Sequence, residues 1–338
     1  MNRRSPLHGG LAVALGALLI LTTVSALRAQ TPGRAATVAP AVLVATEGGG
    51  EADVLVILRE QADLSAAGRL SDREARLRAV YDRLRSTARR SQAGLHRMLD
   101  RRGVDYRPFY VVNMVALRGD RDLVTDLAAR GEVARIAANP RVRQSLPVPG
   151  ADDLAPQTTA DVEWNVARIG ADDVWALGFT GEGVVVAGQD TGYDWDHPAL
   201  VDQYRGTRGG TVSHDYNWHD AIHTDGSDCG ADSPVPCDDN GHGTHTMGTM
   251  VGDDGAANQI GVAPGAEWIG CRNMEEGVGS PATYAECFEF FLAPYPVGGD
   301  PFLNGEPGLA PHVINYSWTC PPYETCEEEA WPVMEAVL

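Results

Sequence analysis

Apolar positions are organised differently in the two halves of this chain. Between residues 69 and 102 they recur at helical spacing, with Leu70, Leu77, Val80, Tyr81, Leu84, Leu95, Met98 and Leu99 set among arginines. That period predicts one long amphipathic helix with a solvated basic face, and Gly94 is a candidate break in it. Strand-like runs lie around it at 54–58, 110–117 and 133–137. A second helix fits 120–130, capped by Asp120 and ended by Gly131. The order strand, helix, strand, helix, strand is that of a small α+β domain of the ferredoxin-like kind, expected over residues 51–144.

Further along, Gly183-Val184-Val185-Val186-Ala187-Gly188 is a β-branched run bounded by glycines, and it leads to Asp190. Such a run suits a buried parallel strand, which would set the Asp190 carboxylate at the strand's C-terminal edge, where open α/β sheets bind ligands. Downstream, Gly241-His242-Gly243-Thr244-His245 opens a stretch of small residues reaching Gly252. It predicts a helix lying close on the sheet with the His242 imidazole at its exposed start. A further strand fits 313–319, and 327–338 carries helical apolar spacing behind Glu327-Glu328-Glu329.

The first residues have another character. Arg3 and Arg4 precede an apolar stretch at 11–27 and then Arg28-Ala29-Gln30, the pattern of a secretory signal over residues 1–29, with cleavage near Ala26 or Ala29. The stretch is short for a membrane-spanning helix. Residues 30–50 read as a linker. Residues 145–160, with Leu146-Pro147-Val148-Pro149 and Ala155-Pro156, read as a second linker that prolines hold extended and that should contain a processing site. The remaining domain is then 161–338.

Charge sharpens this division. The net charge is −19 and every one of the 27 basic residues is arginine. Up to Gly150 there are 23 arginines and 14 acids; beyond it there are 4 arginines and 32 acids, so the halves carry +9 and −28. Opposite fields on linked domains favour their docking. A basic first half invites a nucleic-acid reading, but its arginines share a helix with an apolar stripe and read as a solvated face.

All six cysteines lie beyond position 228, and in an exported protein they are disulfide candidates. Proximity favours three local bridges, Cys229 with Cys237, Cys271 with Cys287, and Cys320 with Cys326. No CxxC pair and no HExxH helix occurs, so no metal centre is expected. His214, His219 and His223 fall in an aspartate-rich insertion that reads as a surface loop.

Asp190-Thr191-Gly192 together with His242-Gly243-Thr244-His245 resemble the motifs of the subtilisin-like serine proteases, the subtilases, and within them the bacillopeptidase F-like branch. The family order is Asp, then His, then Ser. The resemblance implies that Asp190 orients His242 and that His242 is general base toward a serine. No Gly-Thr-Ser follows His242, and Ser280 and Ser317 are read as lying outside any nucleophile turn. The serine is therefore expected beyond Leu338. The implied fold class is α/β, a parallel-sheet subtilisin-like catalytic domain, incomplete, preceded by the small α+β ferredoxin-like domain as a propeptide.

By the same resemblance, Gly277, Val278 and Gly279 pair with the substrate backbone, and Ser317, Trp318 and Thr319 line the pocket before the scissile bond. Many subtilisins have Ser-Leu-Gly there, so the bulkier Trp318 leaves pocket width open. The family's strong calcium site is expected to be lost, because His197-Pro198 is followed by Ala199 and the loop at 253–258 is short. Ca²⁺ elsewhere on the acid-rich surface stays an option, and no cofactor is required. The expected protein is a secreted serine endopeptidase acting on proteins or peptides, restrained by its own propeptide, with no nucleic-acid partner and no membrane association after signal cleavage. The alternative is a secreted non-catalytic homologue that binds peptides or its own propeptide.

Overall fold

The β-branched run Val54-Leu55-Val56-Ile57-Leu58 is apolar on both faces because both faces are covered. In the computed structural model, which describes residues 35–144, 162–255 and 258–318, these residues belong to the central strand of the N-terminal domain. The domain comprises β1 (Thr37–Val38), α1 (Pro40–Ala45), β2 (Glu51–Leu58), α2 (Arg73–Arg102), β3 (Tyr106–Phe109), β4 (Met114–Asp120), α3 (Arg121–Ala128) and β5 (Val133–Ala138). Its sheet has the order β1-β5-β2-β4-β3, with β2 antiparallel to both neighbours. From β2 to β5 the chain order β-α-β-β-α-β is the split βαβ arrangement of ferredoxin-like domains.

One face of the sheet packs on the two helices through Val54, Val56, Leu58, Leu95, Leu99, Leu123 and Leu127. Each such side chain, fully buried, contributes about 1.5–3 kcal/mol. The other face sets Leu55, Phe109, Met114 and Ala137 against Ala285 of the second domain.

Three expectations change here. The segment at 30–50 is not simply a linker: β1 pairs in parallel with β5, and Val42 of α1 is fully buried in the domain core. The helix does not break at Gly94; α2 runs unbroken for 30 residues, capped by the Asp72 carboxylate on the Ala75 N–H at 2.7 Å and ended by Gly103 at φ 64°. The strand expected at 110–117 begins only at Met114, because residues 110–113 are the turn that joins β3 to β4 and bond to the second domain. Buried Gln92 holds that turn, donating to the Phe109 carbonyl at 2.7 Å and to Asn113 Oδ1 at 2.8 Å.

The second domain is built on a parallel sheet. β6 (Val142–Arg143) leads out of the first domain; α4 (Trp164–Arg168), α5 (Ala171–Ala176), β7 (Val185–Asp190), β8 (Trp218–Asp220), α6 (His242–Val251), β9 (Glu267–Arg272), β10 (Met274–Glu275), β11 (Val278–Gly279), α7 (Pro281–Leu292) and β12 (Val313–Tyr316) follow. The order β12-β7-β9-β8 is parallel throughout. α6 covers one face, with Met247 and Val251 against Val186, Tyr193, Trp218 and Trp268. α7 covers the other through Phe290, Phe291 and Cys287. Among the described residues no helix is long and apolar enough to cross a membrane.

Cys229–Cys237 and Cys271–Cys287 are disulfides, the second tying β9 to α7. Cys320, Cys326, Thr319 and the helix expected at 327–338 lie outside the described residues, as do the signal segment and the linker at 145–160.

Candidate active site

Asp190 is the last residue of β7 and is completely buried. Its Oδ1 accepts the Thr191 N–H at 2.8 Å and lies 2.7 Å from His242 Nδ1. A carboxylate only accepts, so the imidazole carries its proton on Nδ1 and presents Nε2 as the free base. The hydrogen bond from Asp190 raises the His242 pKa above its ordinary value, against burial, and the Asp190 and Asp238 charges add to the rise.

His242 reaches this place because it is the first residue of α6, just after Gly241, whose φ is 86°. Two glycines allow the close approach of helix and strand end. A Cβ on Gly243 would collide with the Gly192 carbonyl oxygen, and one on Gly192 would collide with the Cys237 carbonyl. Gly192 and Gly243 are thus a packing requirement of the Asp190–His242 pair.

Beside this pair, β10 and β11 form a hairpin whose two turn residues, Glu276 and Gly277, both have positive φ. Its outer strand carries Val278 and Gly279. These pair antiparallel with β6, Arg143 opposite Val278 and Val142 opposite Gly279, and the Gln144 N–H donates to the Gly277 carbonyl at 2.8 Å. The three expected strand residues are therefore together, and the extended segment on them comes from the end of the N-terminal domain. Trp318 stacks on Tyr284 with ring centroids 4.0 Å apart. A Cβ on Gly279 would strike that tyrosine, so Gly279, Tyr284 and Trp318 form one wall. Ser317 is exposed and accepts the Asn315 side-chain amide at 3.0 Å.

Ser280 differs from expectation in its place, since it does sit between a strand and a helix. Its hydroxyl is the N-cap of α7, closing a capping box with Thr283. That role gives the hydroxyl a structural partner, the Thr283 N–H at 3.3 Å.

The surface-loop reading fails for His219, while His223 keeps its place in an exposed loop and still reaches a buried acid. His219 lies in β8, and its Nε2 is 2.8 Å from Glu286 Oε1, while His223 Nε2 is 3.0 Å from Glu286 Oε2. Arg107 of the N-terminal domain reaches the same carboxylate at 2.7 Å. Burial alone would raise the Glu286 pKa, but the two histidines and the Arg107 charge hold it well below the usual carboxylate range. The bond to Glu286 raises His223 despite burial. One turn along α7, Glu289 accepts the N–H groups of Tyr110 and Val111, yet its burial pushes its pKa up to about 8. His214, by contrast, meets Tyr204 Oη at 3.0 Å. Glu286 and Glu289, set among Cys287, Phe288, Phe290 and Phe291, are the sequence signal for this cluster.

A buried strand-end carboxylate paired with the first imidazole of a small-residue helix, on a parallel sheet with an extended segment alongside, defines a serine-peptidase class of site. Residues 181–333 match the model of the Subtilase family, and the chain belongs to that family of peptidases. It is similar to bacillopeptidase F of Bacillus subtilis (strain 168), with 37% identity over 254 residues covering 71% of this chain and 17% of that protein. The major intracellular serine protease of the same organism is 36% identical over 101 residues, 30% of this chain and 27% of that protein. The solved structure of the epidermin leader peptide processing serine protease of Staphylococcus aureus superposes with a TM-score of 0.55 at 12% identity, covering 85% of this chain and 58% of that one. That likeness establishes the subtilisin-like fold. The chain spans about a sixth of the length of bacillopeptidase F.

Proposed function

We propose that this chain supplies the Asp–His part of a secreted serine endopeptidase, with residues 51–144 serving as a propeptide that restrains it. The observation that carries the reading is the 2.7 Å contact of His242 Nδ1 with buried Asp190. A serine hydroxyl becomes a useful nucleophile only when a base removes its proton, and a neutral imidazole does so near pH 7. Asp190 fixes the tautomer and stabilises the imidazolium while the serine attacks the peptide carbonyl; His242 then passes the proton to the leaving amine, and water resolves the acyl-enzyme. The nucleophile and part of the oxyanion site come, in this proposal, from sequence outside these 338 residues, since no Gly-Thr-Ser follows His242.

Restraint by the N-terminal domain is supported by β6, which takes the position on Val278 and Gly279 that a substrate strand would need. Cleavage within 145–160 would free that position. Export is supported by the N-terminal pattern of residues 1–29 and by two disulfides, which persist outside the cytosol.

The whole protein, purified from culture medium, should react covalently with a fluorophosphonate, and His242→Ala should abolish the reaction. Absence of labelling in the unaltered protein would favour the second reading, a secreted peptide binder.

A further inference from the structure

We propose that Asp238 is a positioning residue of the proposed peptidase site, joining the strand-end turn of Asp190 to the start of the His242 helix through one carboxylate. Its Oδ1 accepts the Thr191 hydroxyl at 2.8 Å and the N–H groups of Asn240 and Gly241 at 3.1 and 2.9 Å. Its Oδ2 accepts the Thr244 N–H at 2.9 Å and the Thr244 hydroxyl at 2.6 Å. Five donors converge on one side chain, three on Oδ1 and two on Oδ2. Thr191 passes the linkage on by accepting the Gly243 N–H at 3.1 Å, and Thr244 does so by accepting the Asp194 N–H at 2.9 Å. The turn that follows Asp190 and the residues on both sides of His242 are thus tied to the same group.

The arrangement follows from a local conflict. α6 must begin at His242, so the N-cap position falls to Gly241, which has no side chain to satisfy the first helix amides. Asp238 takes over that duty from three residues earlier, and its negative charge faces the positive end of the helix. The neighbouring residues anchor it. Cys237 is bridged to Cys229 and accepts the Tyr193 N–H at 3.2 Å. Asp239 accepts the Glu276 N–H at 2.9 Å and faces the fully buried Arg272 at 3.4 Å, which is also held by Asp220. Three consecutive residues therefore hold the Asp190 turn, the His242 helix and the hairpin beside β6.

The test uses the His242 ring as reporter, so it does not depend on hydrolysis. In the 338-residue chain, NMR of the His242 side chain should show Asp238→Asn with a lowered pKa and a shifted low-field Nδ1–H resonance. Asp238→Ala should broaden that resonance or abolish it. Asp72→Ala removes the cap of α2 and serves as control: it should lower the melting temperature and leave the His242 signals in place. In the whole protease, Asp238→Asn should lower kcat by on the order of 10²-fold with KM little changed, the consequence of a misplaced base. Unchanged His242 titration and Nδ1–H resonance in Asp238→Asn would overturn the proposal. A whole protein that never labels with fluorophosphonate would overturn the peptidase reading, while the NMR result would still decide the role of Asp238.

Discussion

Glu289 receives the backbone N–H of Tyr110, so the turn that interrupts the N-terminal hairpin is completed by a carboxyl group on a helix of the other domain. Both the Tyr110 and the Val111 N–H bonds go to the same oxygen, Oε1, which can act as the carbonyl of a neutral acid. This is why burial can raise Glu289 to about 8 without breaking either bond.

Docking of the N-terminal domain should therefore weaken on alkalinisation. A pKa raised by docking means that the docked form holds a proton the separated form has lost, so the Glu289 contribution is full below its ordinary 4.5 and fades as pH rises through about 8. Glu286, lowered in part by the Arg107 charge, matters only in acid, and His223 takes its rise from Glu286 and Asp232 of its own domain, with Arg107 opposing it. Tyr295, raised well above its ordinary value by burial and by the Glu286 and Glu289 charges, does not titrate in this window. Dissociation measured between pH 6 and 9 should rise, and Glu289→Gln, which keeps the acceptor oxygen, should flatten much of that rise. A wild-type profile flat over this window would refute the assignment.

Salt should act on the same interface. The halves carry +9 and −28, and Arg107–Glu286 and Arg141–Glu275 cross between them. Affinity of the separated N-terminal domain for the rest should fall as NaCl rises. Arg107→Ala should cost about 2 kcal/mol, the low end for truncating a charge partner, because Arg107 itself is 44% exposed while Glu286 is 5% exposed.

Under the proposed peptidase function, Asp190→Asn should reduce turnover by about 10⁴-fold through loss of the correct imidazole tautomer. It should also lower the His242 pKa, since the Asp190 hydrogen bond is the main cause of its rise. The base works only when neutral, so activity is lost as pH falls through the His242 pKa, and the variant's residual activity should persist to lower pH. The linked stability has the opposite sense: the contribution from protonated His242 is present below 6.5 and is lost as pH rises through its raised value. A pH–rate profile and a urea titration check the two signs separately.

The two disulfides should differ in accessibility. Cys271 and Cys287 are fully buried and bridge β9 to α7 over 16 positions, so their bond should resist mild reductant in the folded protein. Its removal by Cys271→Ala with Cys287→Ala should destabilise the fold by about 3 kcal/mol. Cys229–Cys237, in the partly exposed loop before Asp238, should be reduced first. Mass mapping after stepwise reduction reads the order.

The core of the site was legible because its constraints are local. Asp190 ends a β-branched run and His242 begins a run of small residues, and each pattern follows from backbone geometry and close packing over a few positions. The ferredoxin-like order was legible for the same reason, as was the Asp120 cap, which accepts the Leu123 N–H at 2.8 Å. The turn at 110–113 was not, because its partners are remote: Gln92 on α2, and Glu289, 179 positions from Tyr110.

Sequence alone thus determined which residue types could form the elements and where the strand-end acid and helix-start imidazole fall. Tertiary structure decided what those elements meet: that His219 and His223 grip Glu286, that Asp238 supplies the cap which Gly241 lacks, and that β6 lies on Val278 and Gly279. The physical reason is range. Propensity, capping and periodicity act within a few residues, whereas a buried carboxylate's partners are chosen by which distant donors the packed domains bring within about 3 Å.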